Sequence, residues 1–133
     1  MIEQVVARWE QFLSGELPDV LDELLADDVI FYSPIVYTPQ RGKDVTALYL
    51  RAAGQTLPGQ GDQLFRYTKQ VFTADVAVLE FETSLDGKYV NGVDIMRCND
   101  AGQIVEFRVM LRPLQAINAV HEAMRTMLAS LQA

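Results

Sequence analysis

The chain is poor in the residues that build covalent staples and metal sites. It holds one cysteine, Cys98, and one histidine, His121. A lone thiol cannot form an internal disulfide, so no disulfide framework supports the fold. One Cys and one His also fall short of the ligand set of a usual zinc site, and neither metal nor cofactor is expected. The cysteine usage fits a reducing, cytoplasmic setting. No apolar run approaches the roughly 18 residues of a membrane helix, and no charged-then-apolar start resembles a signal peptide, so no membrane partner is expected. Basic residues are scarce as well. There are 11 Lys and Arg against 18 Asp and Glu, a net charge of −7. The imbalance is local: in residues 1–28, Glu3, Glu10, Glu16, Asp19, Asp22, Glu23, Asp27 and Asp28 face only Arg8, and the remaining acids and bases cancel. Such an acidic end repels nucleic acid, and no basic stripe compensates. It reads as a solvated acidic helix pair that favours solubility.

What is present suits one folded unit. The 133 residues are 50% hydrophobic and 22% charged, which is a globular composition with room for one core. The expected domain is residues 1–133. Ile2, Val6, Trp9 and Leu13 recur at helical spacing, widened by Val5 and Phe12, and Gly15 is a stop. Pro18 suits the first turn of a second helix that buries Leu21, Leu24 and Leu25 and ends at Asp27-Asp28. Val29 to Tyr32 predicts a short strand. Pro34 and Pro39 bracket a loop rich in Ile35, Val36 and Tyr37, and a loop that apolar covers either core or ligand. Gly42 opens a third helix with Val45, Leu48, Tyr49 and Ala52 on one face.

From Leu64 onward the pattern is strand. Candidates run over Leu64–Thr73, Val76–Leu85, Lys88–Cys98 and Ile104–Arg112, with an Asp86-Gly87 hairpin signal between the second and third. A final helix begins at Pro113, with Ile117, Val120, Met124, Met127 or Leu128, and Leu131 on its apolar stripe. Three short helices followed by a strongly bent antiparallel meander make an α+β fold, and a bent sheet wrapped on a helix leaves a cone-shaped cavity at one end.

Two stretches resemble a known family. Val5 to Pro34, with its RW, FLSG and LDELLADDVIFYSP segments, is similar to the start of nuclear transport factor 2-like proteins, and Asn91 to Pro113, NGVDIMRCNDAGQIVEFRVMLRP, resembles the last two strands of SnoaL-like domains. The superfamily includes ketosteroid isomerases, SnoaL-like polyketide cyclases, limonene epoxide hydrolases and scytalone dehydratases. The resemblance implies a cystatin-like, curved antiparallel sheet around N-terminal helices, with a C-terminal helix added. It also implies frequent homodimers, and it does not by itself choose an activity.

Ketosteroid isomerases carry a catalytic Tyr on the first helix, a base Asp just before the Pro of the first strand, and a second Asp on a later strand. The resemblance puts Trp9, Ser33 and Asp94 at those positions. A serine hydroxyl does not titrate in the useful range, so steroid isomerisation is not expected. Trp9 can donate a hydrogen bond but neither accept one nor ionise. Asp94 matches, and in that isomerase the matching Asp is held protonated by apolar surroundings and donates to an oxyanion. The epoxide hydrolase reaction needs an Arg beside such an Asp, and Gly92, which faces the same way as Asp94, cannot supply it.

Strand alternation puts Asp94 on one face with Gly92, Met96 and Cys98, the inner face. Arg97 should then face outward. An inward carboxylate must be paired, hydrated or protonated, so Asp94 is the candidate catalytic acid or base, unless it serves only as a structural partner of Trp9. Trp9, Phe12, Ser33, Val36, Tyr37, Tyr49, Phe107 and Val109 are the candidate ligand-binding residues; each also has a plain core or surface reading. A two-residue Asp86-Gly87 turn would pair Leu79 with Asp94 and put Glu80 and Glu82 outside, whereas a bulged turn would bring Glu80 inward. On the outer face, Arg97, Arg108 and Arg112 would meet Glu80, Glu82 and Glu106, with Val93, Ile95 and Met110 among them, a pattern that suits a dimer interface. His121 reads as a solvent-edge residue and Cys98 as a small core residue. Three functions stay open: a protein that binds a small hydrophobic molecule, an isomerase, cyclase or lyase acting on a hydrophobic ring through Asp94, and a dimerisation module whose pocket is filled by Trp9, Phe12, Tyr49 and Phe107.

Overall fold

The computed structural model describes residues 1–132. The chain runs α1 (Ile2–Leu13), α2 (Leu21–Leu24), β1 (Leu25–Tyr32), β2 (Gln40–Arg41), α3 (Lys43–Thr56), β3 (Gly59–Gln60), β4 (Gln63–Leu64), β5 (Arg66–Phe72), β6 (Val76–Leu85), β7 (Lys88–Cys98), β8 (Ile104–Arg112) and α4 (Leu114–Gln132). One sheet has the strand order β2-β1-β8-β7-β6-β5, and β3 with β4 forms a separate small hairpin. β5 to β8 is an antiparallel meander, while β1 joins it as the parallel partner of β8. This is the α+β architecture expected, a curved and mainly antiparallel sheet with its helices on the inner face.

The turn between β6 and β7 fixes the inner face. Asp86 and Gly87 both have positive φ, 51° and 75°, the backbone that a two-residue hairpin turn requires. Leu85 therefore pairs with Lys88, and the ladder carries Leu79 to Asp94 and Phe81 to Gly92 without a slip. Ala77, Leu79, Met96 and Phe107 are buried on that face in one cluster with Ile2, Val5, Val6 and Trp9 of α1, while Phe81 is buried in a second cluster with Val90 and with Ala116 and Val120 of α4. Each of the Leu, Met and Phe side chains, fully buried, contributes about 1.5–3 kcal/mol relative to its exposed state. Gly92 is needed where it stands: a Cβ there would lie 2.5 Å from the Phe81 ring and 2.7 Å from the Met110 carbonyl oxygen.

Several local expectations are corrected. The second helix is a single turn over Leu21–Leu24, and Asp27-Asp28 do not end it; they lie exposed inside β1, which starts at Leu25 rather than Val29. In α3 the most buried residues are Thr46, Ala47, Leu50, Ala52 and Thr56, so the inward stripe lies beside the Val45–Leu48 line. In α4 only Ala116 and Val120 are fully buried, and Leu131 stays exposed.

The outer face pairs its charges differently from the pattern expected. Glu80 and Glu82 do face outward, but their cations come from β5: Lys69 lies 3.3 Å from Glu80 and Arg66 2.8 Å from Glu82. Arg97 pairs with Glu106 at 3.9 Å. Arg108 instead stacks on the Tyr32 ring, 3.8 Å from its centroid, and Arg112 donates to the Asn91 side-chain oxygen.

Candidate functional site

A cavity of about 890 Å³ opens between the inner sheet face and the helices, within the size range of small-molecule sites. α1 supplies Trp9 and Glu10, β1 and the following loop supply Phe31, Ser33 and Val36, and α3 supplies Tyr49. The meander adds Tyr67, Gln70, Asp94, Phe107 and Val109, and α4 adds Met124 and Leu128. Arg66, His121 and Arg125 also line it, all from exposed positions.

Asp94 is buried on the inner face, 5% exposed. Among the described residues its side chain has one hydrogen-bond partner: the Tyr67 hydroxyl donates to Asp94 Oδ2 at 2.6 Å. The Trp9 indole N–H in turn donates to the Tyr67 oxygen at 2.8 Å. Desolvation disfavours the charged carboxylate and pushes the Asp94 pKa up to about 7, against the opposing pull of the Tyr67 hydrogen bond. Burial, and then the neighbouring Asp94 charge, push the Tyr67 phenol well above its usual value. The trio thus offers a carboxyl group that changes protonation near neutral pH, held by a phenol that does not ionise there.

Of the residues singled out from the sequence, Trp9, Ser33, Val36, Tyr49, Asp94, Phe107 and Val109 line this one cavity. Phe12 and Tyr37 do not. Phe12 is turned off the Trp9–Leu13 line of α1 and packs on the core, with its ring 5.4 Å from that of Trp9. Tyr37 is fully exposed beyond the tight turn that follows Ser33. Ser33 itself caps that turn: its Oγ accepts from the backbone N–H groups of Ile35 and Val36. The indole of Trp9 does not reach Asp94 directly, as the sequence suggested, because Tyr67 stands between them. Trp9, Tyr49 and Phe107 form walls and leave the cavity open.

Among the polar lining residues that the sequence did not bring forward are Tyr67, Glu10 and Gln70. Tyr67 faces Phe81 across β5 and β6, and Gln70 faces Leu79; both are inner-face positions. Strict alternation over three residues would put them on opposite faces. A register shift between Tyr67 and Lys69 reconciles them, an irregularity that no turn residue announces.

Residues 3–107 match the family model of the SnoaL-like domain. No curated protein matches this chain. Among solved structures, a steroid delta-isomerase from Pseudomonas aeruginosa is 31% identical with a TM-score of 0.88, over 98% of this chain and 94% of that one. An uncharacterized protein with a cystatin-like fold from Silicibacter pomeroyi is 29% identical with a TM-score of 0.81, over 92% and 83%. A nuclear transport factor 2-like protein from Mesorhizobium loti is 21% identical with a TM-score of 0.70, over 84% and 90%, a likeness of fold.

Proposed function

This chain belongs to the SnoaL-like domain family, and we propose that its single domain, residues 1–133, binds a small hydrophobic ring compound whose carbonyl or hydroxyl oxygen accepts a hydrogen bond from Asp94. The observation that carries this reading is the buried Asp94 carboxyl in the cavity wall, with one oxygen held by Tyr67. The lining of Phe31, Phe81, Phe107, Val109, Met124 and Leu128 supports an apolar ligand. The open cavity speaks against a module whose pocket is filled by its own aromatic residues. Lone, buried Cys98 suits a reducing compartment such as the cytoplasm.

A second reading makes the protein an isomerase, cyclase or lyase with Asp94 as its acid. The likeness to the Pseudomonas aeruginosa isomerase and the Asp94 pKa near 7 favour it. Ser33, hydroxyl-bearing and engaged with its own turn, argues against steroid isomerisation as the reaction. A homodimer through the outer sheet face accompanies either reading.

Binding is tested by thermal shift and calorimetry with bicyclic ketones. Affinity is expected to fall as pH rises past about 7, because the donor form of Asp94 is lost. Asp94→Asn, which keeps a donor that does not titrate, should flatten that dependence, and Asp94→Leu should abolish it together with most of the affinity. Equal binding by wild type and Asp94→Leu would overturn the proposal.

A further inference from the structure

The cavity has a second polar pole that the Asp94 reading does not use. Asp94 on β7, Leu79 on β6 and Gln70 on β5 occupy one row of the inner sheet face. Two strand spacings therefore separate the Asp94 and Gln70 backbones, roughly 10 Å. Gln70 Nε2 donates to Glu10 Oε1 at 2.8 Å, tying β5 to α1 across the cavity wall. Both residues line the same cavity as Asp94.

The chemistry left open at this pole is dominated by acceptors, one of them a carboxylate oxygen. One Gln70 amide N–H is committed to Glu10, which leaves the second N–H, Gln70 Oε1 and Glu10 Oε2 without partners among the described side chains. Both oxygens are acceptors. Glu10 forms no ion pair with a described Lys or Arg, although Arg8, Lys43, Arg51, Arg66, Lys69, Arg97 and Arg125 each form one with another acid. The nearby Ser14 hydroxyl is committed to the Gln11 carbonyl. Gln70 is exposed at the cavity's rim, and its place on the inner side comes from the register shift after Tyr67, the kind of bulge that redirects a side chain beside a site.

We infer that Glu10 and Gln70 form a second binding subsite, which takes a hydrogen-bond-donating substituent, a hydroxyl or an ammonium group, at the end of the ligand remote from Asp94. The inference rests on the binding reading above and narrows its ligand class. The ligand has an acceptor oxygen at one end, an apolar ring body against the aromatic walls of Phe31, Phe81 and Phe107, and a donor at the other end. A compound with a carboxylate at the far end is rejected, since it would meet Glu10 as a like charge.

The test compares β-tetralone with derivatives that carry a hydroxyl, an aminomethyl or a carboxyl group on the far ring, by calorimetry on the full chain. The hydroxyl and aminomethyl compounds should bind wild type on the order of tenfold more tightly than the parent, as a hydrogen bond to a charged acceptor allows. The carboxyl compound should bind more weakly. Glu10→Leu should bring the affinity ratio of each donor compound to the parent down to about one. Glu10→Gln should do so mainly for the aminomethyl compound, which separates charge recognition from hydrogen bonding. A donor gain that persists in Glu10→Leu overturns this inference and leaves Asp94 binding standing. Wild-type protein that binds none of the four overturns both.

Discussion

The phenol of Tyr67 on β5 spans the intervening strand to donate a 2.6 Å hydrogen bond to Asp94 on β7. Its own oxygen receives the indole N–H of Trp9 from α1. The order of donors is fixed by chemistry, because an indole can only donate. Asp94 is therefore the terminal acceptor of a relay that joins a helix to two strands, and the proton it takes up near neutral pH goes to the oxygen that Tyr67 leaves free.

The first expectation concerns stability and pH. Burial raises the Asp94 pKa from the ordinary 3.8 to about 7, so between those values the folded state keeps a proton that the unfolded state releases. The stability contributed by this group is fully present below the unfolded value and is lost as pH rises through the folded one. The loss is on the order of a few kcal/mol. Asp94→Asn stays neutral throughout, so it should match wild type near about pH 4 and exceed it near about pH 8. Urea titrations of both proteins across pH decide the matter, and parallel stability curves would contradict it.

Tyr67→Phe removes the centre of the relay. It strands the Trp9 N–H and leaves Asp94 without its donor, at a cost of about 1–3 kcal/mol for a buried unsatisfied group. The hydrogen bond from Tyr67 is also what restrains the Asp94 pKa, so its removal should move the Asp94 titration further upward. Carboxyl carbon shifts followed by NMR would report the move, and an unchanged or lower midpoint would count against the relay.

Ser33 predicts an absence of steroid isomerisation. A missing positioned base costs on the order of a hundredfold to ten-thousandfold in rate. Conjugation of a β,γ-unsaturated ketosteroid, followed by absorbance, should stay at background with wild type. Ser33→Asp should raise the rate, since a carboxylate can accept the same turn hydrogen bonds from Ile35 and Val36. Efficient wild-type turnover would mean that another group serves as base.

The outer sheet face should form the homodimer. Met110 is 47% exposed there, and Val93 and Ile95 flank it within a ring of paired charges. Analytical ultracentrifugation at micromolar concentration is expected to give a dimer, and Met110→Asp a monomer that keeps its fold. A wild-type monomer that persists at high concentration rules this out.

The sequence carried the register of the site well where a turn dictated it. Asp86-Gly87 favours a two-residue hairpin over a bulged one, and that turn orders every partner from Leu85–Lys88 to Leu79–Asp94, including which way the carboxyl faces. The same alternation failed on β5, where the shift after Tyr67 turns Gln70 inward without a glycine or proline to mark it. Tyr67, the group that holds Asp94, sits in no motif that marks it out from the other tyrosines. Asp27-Asp28 misled for a related reason. Two adjacent acids look like a helix end, but β1 simply exposes both between buried Ala26 and Val29, where its pairing with β8 is irregular.

Phe31 and Phe107 lie side by side in the parallel pairing of β1 with β8, although nearly the whole meander separates them along the chain. The meander needs only short connections and its own neighbours to form. The pairing of β1 must wait for the last strand to exist, and long-range parallel contacts are slow to close. The order of assembly follows from this. The sheet that bears Asp94 and Tyr67 forms as a local unit, and its inner face, with Leu79, Met96 and Phe107, stays uncovered until the chain's first segment returns to it. Contact topology thus predicts that the ligand cavity is the last compartment of the molecule to close during folding.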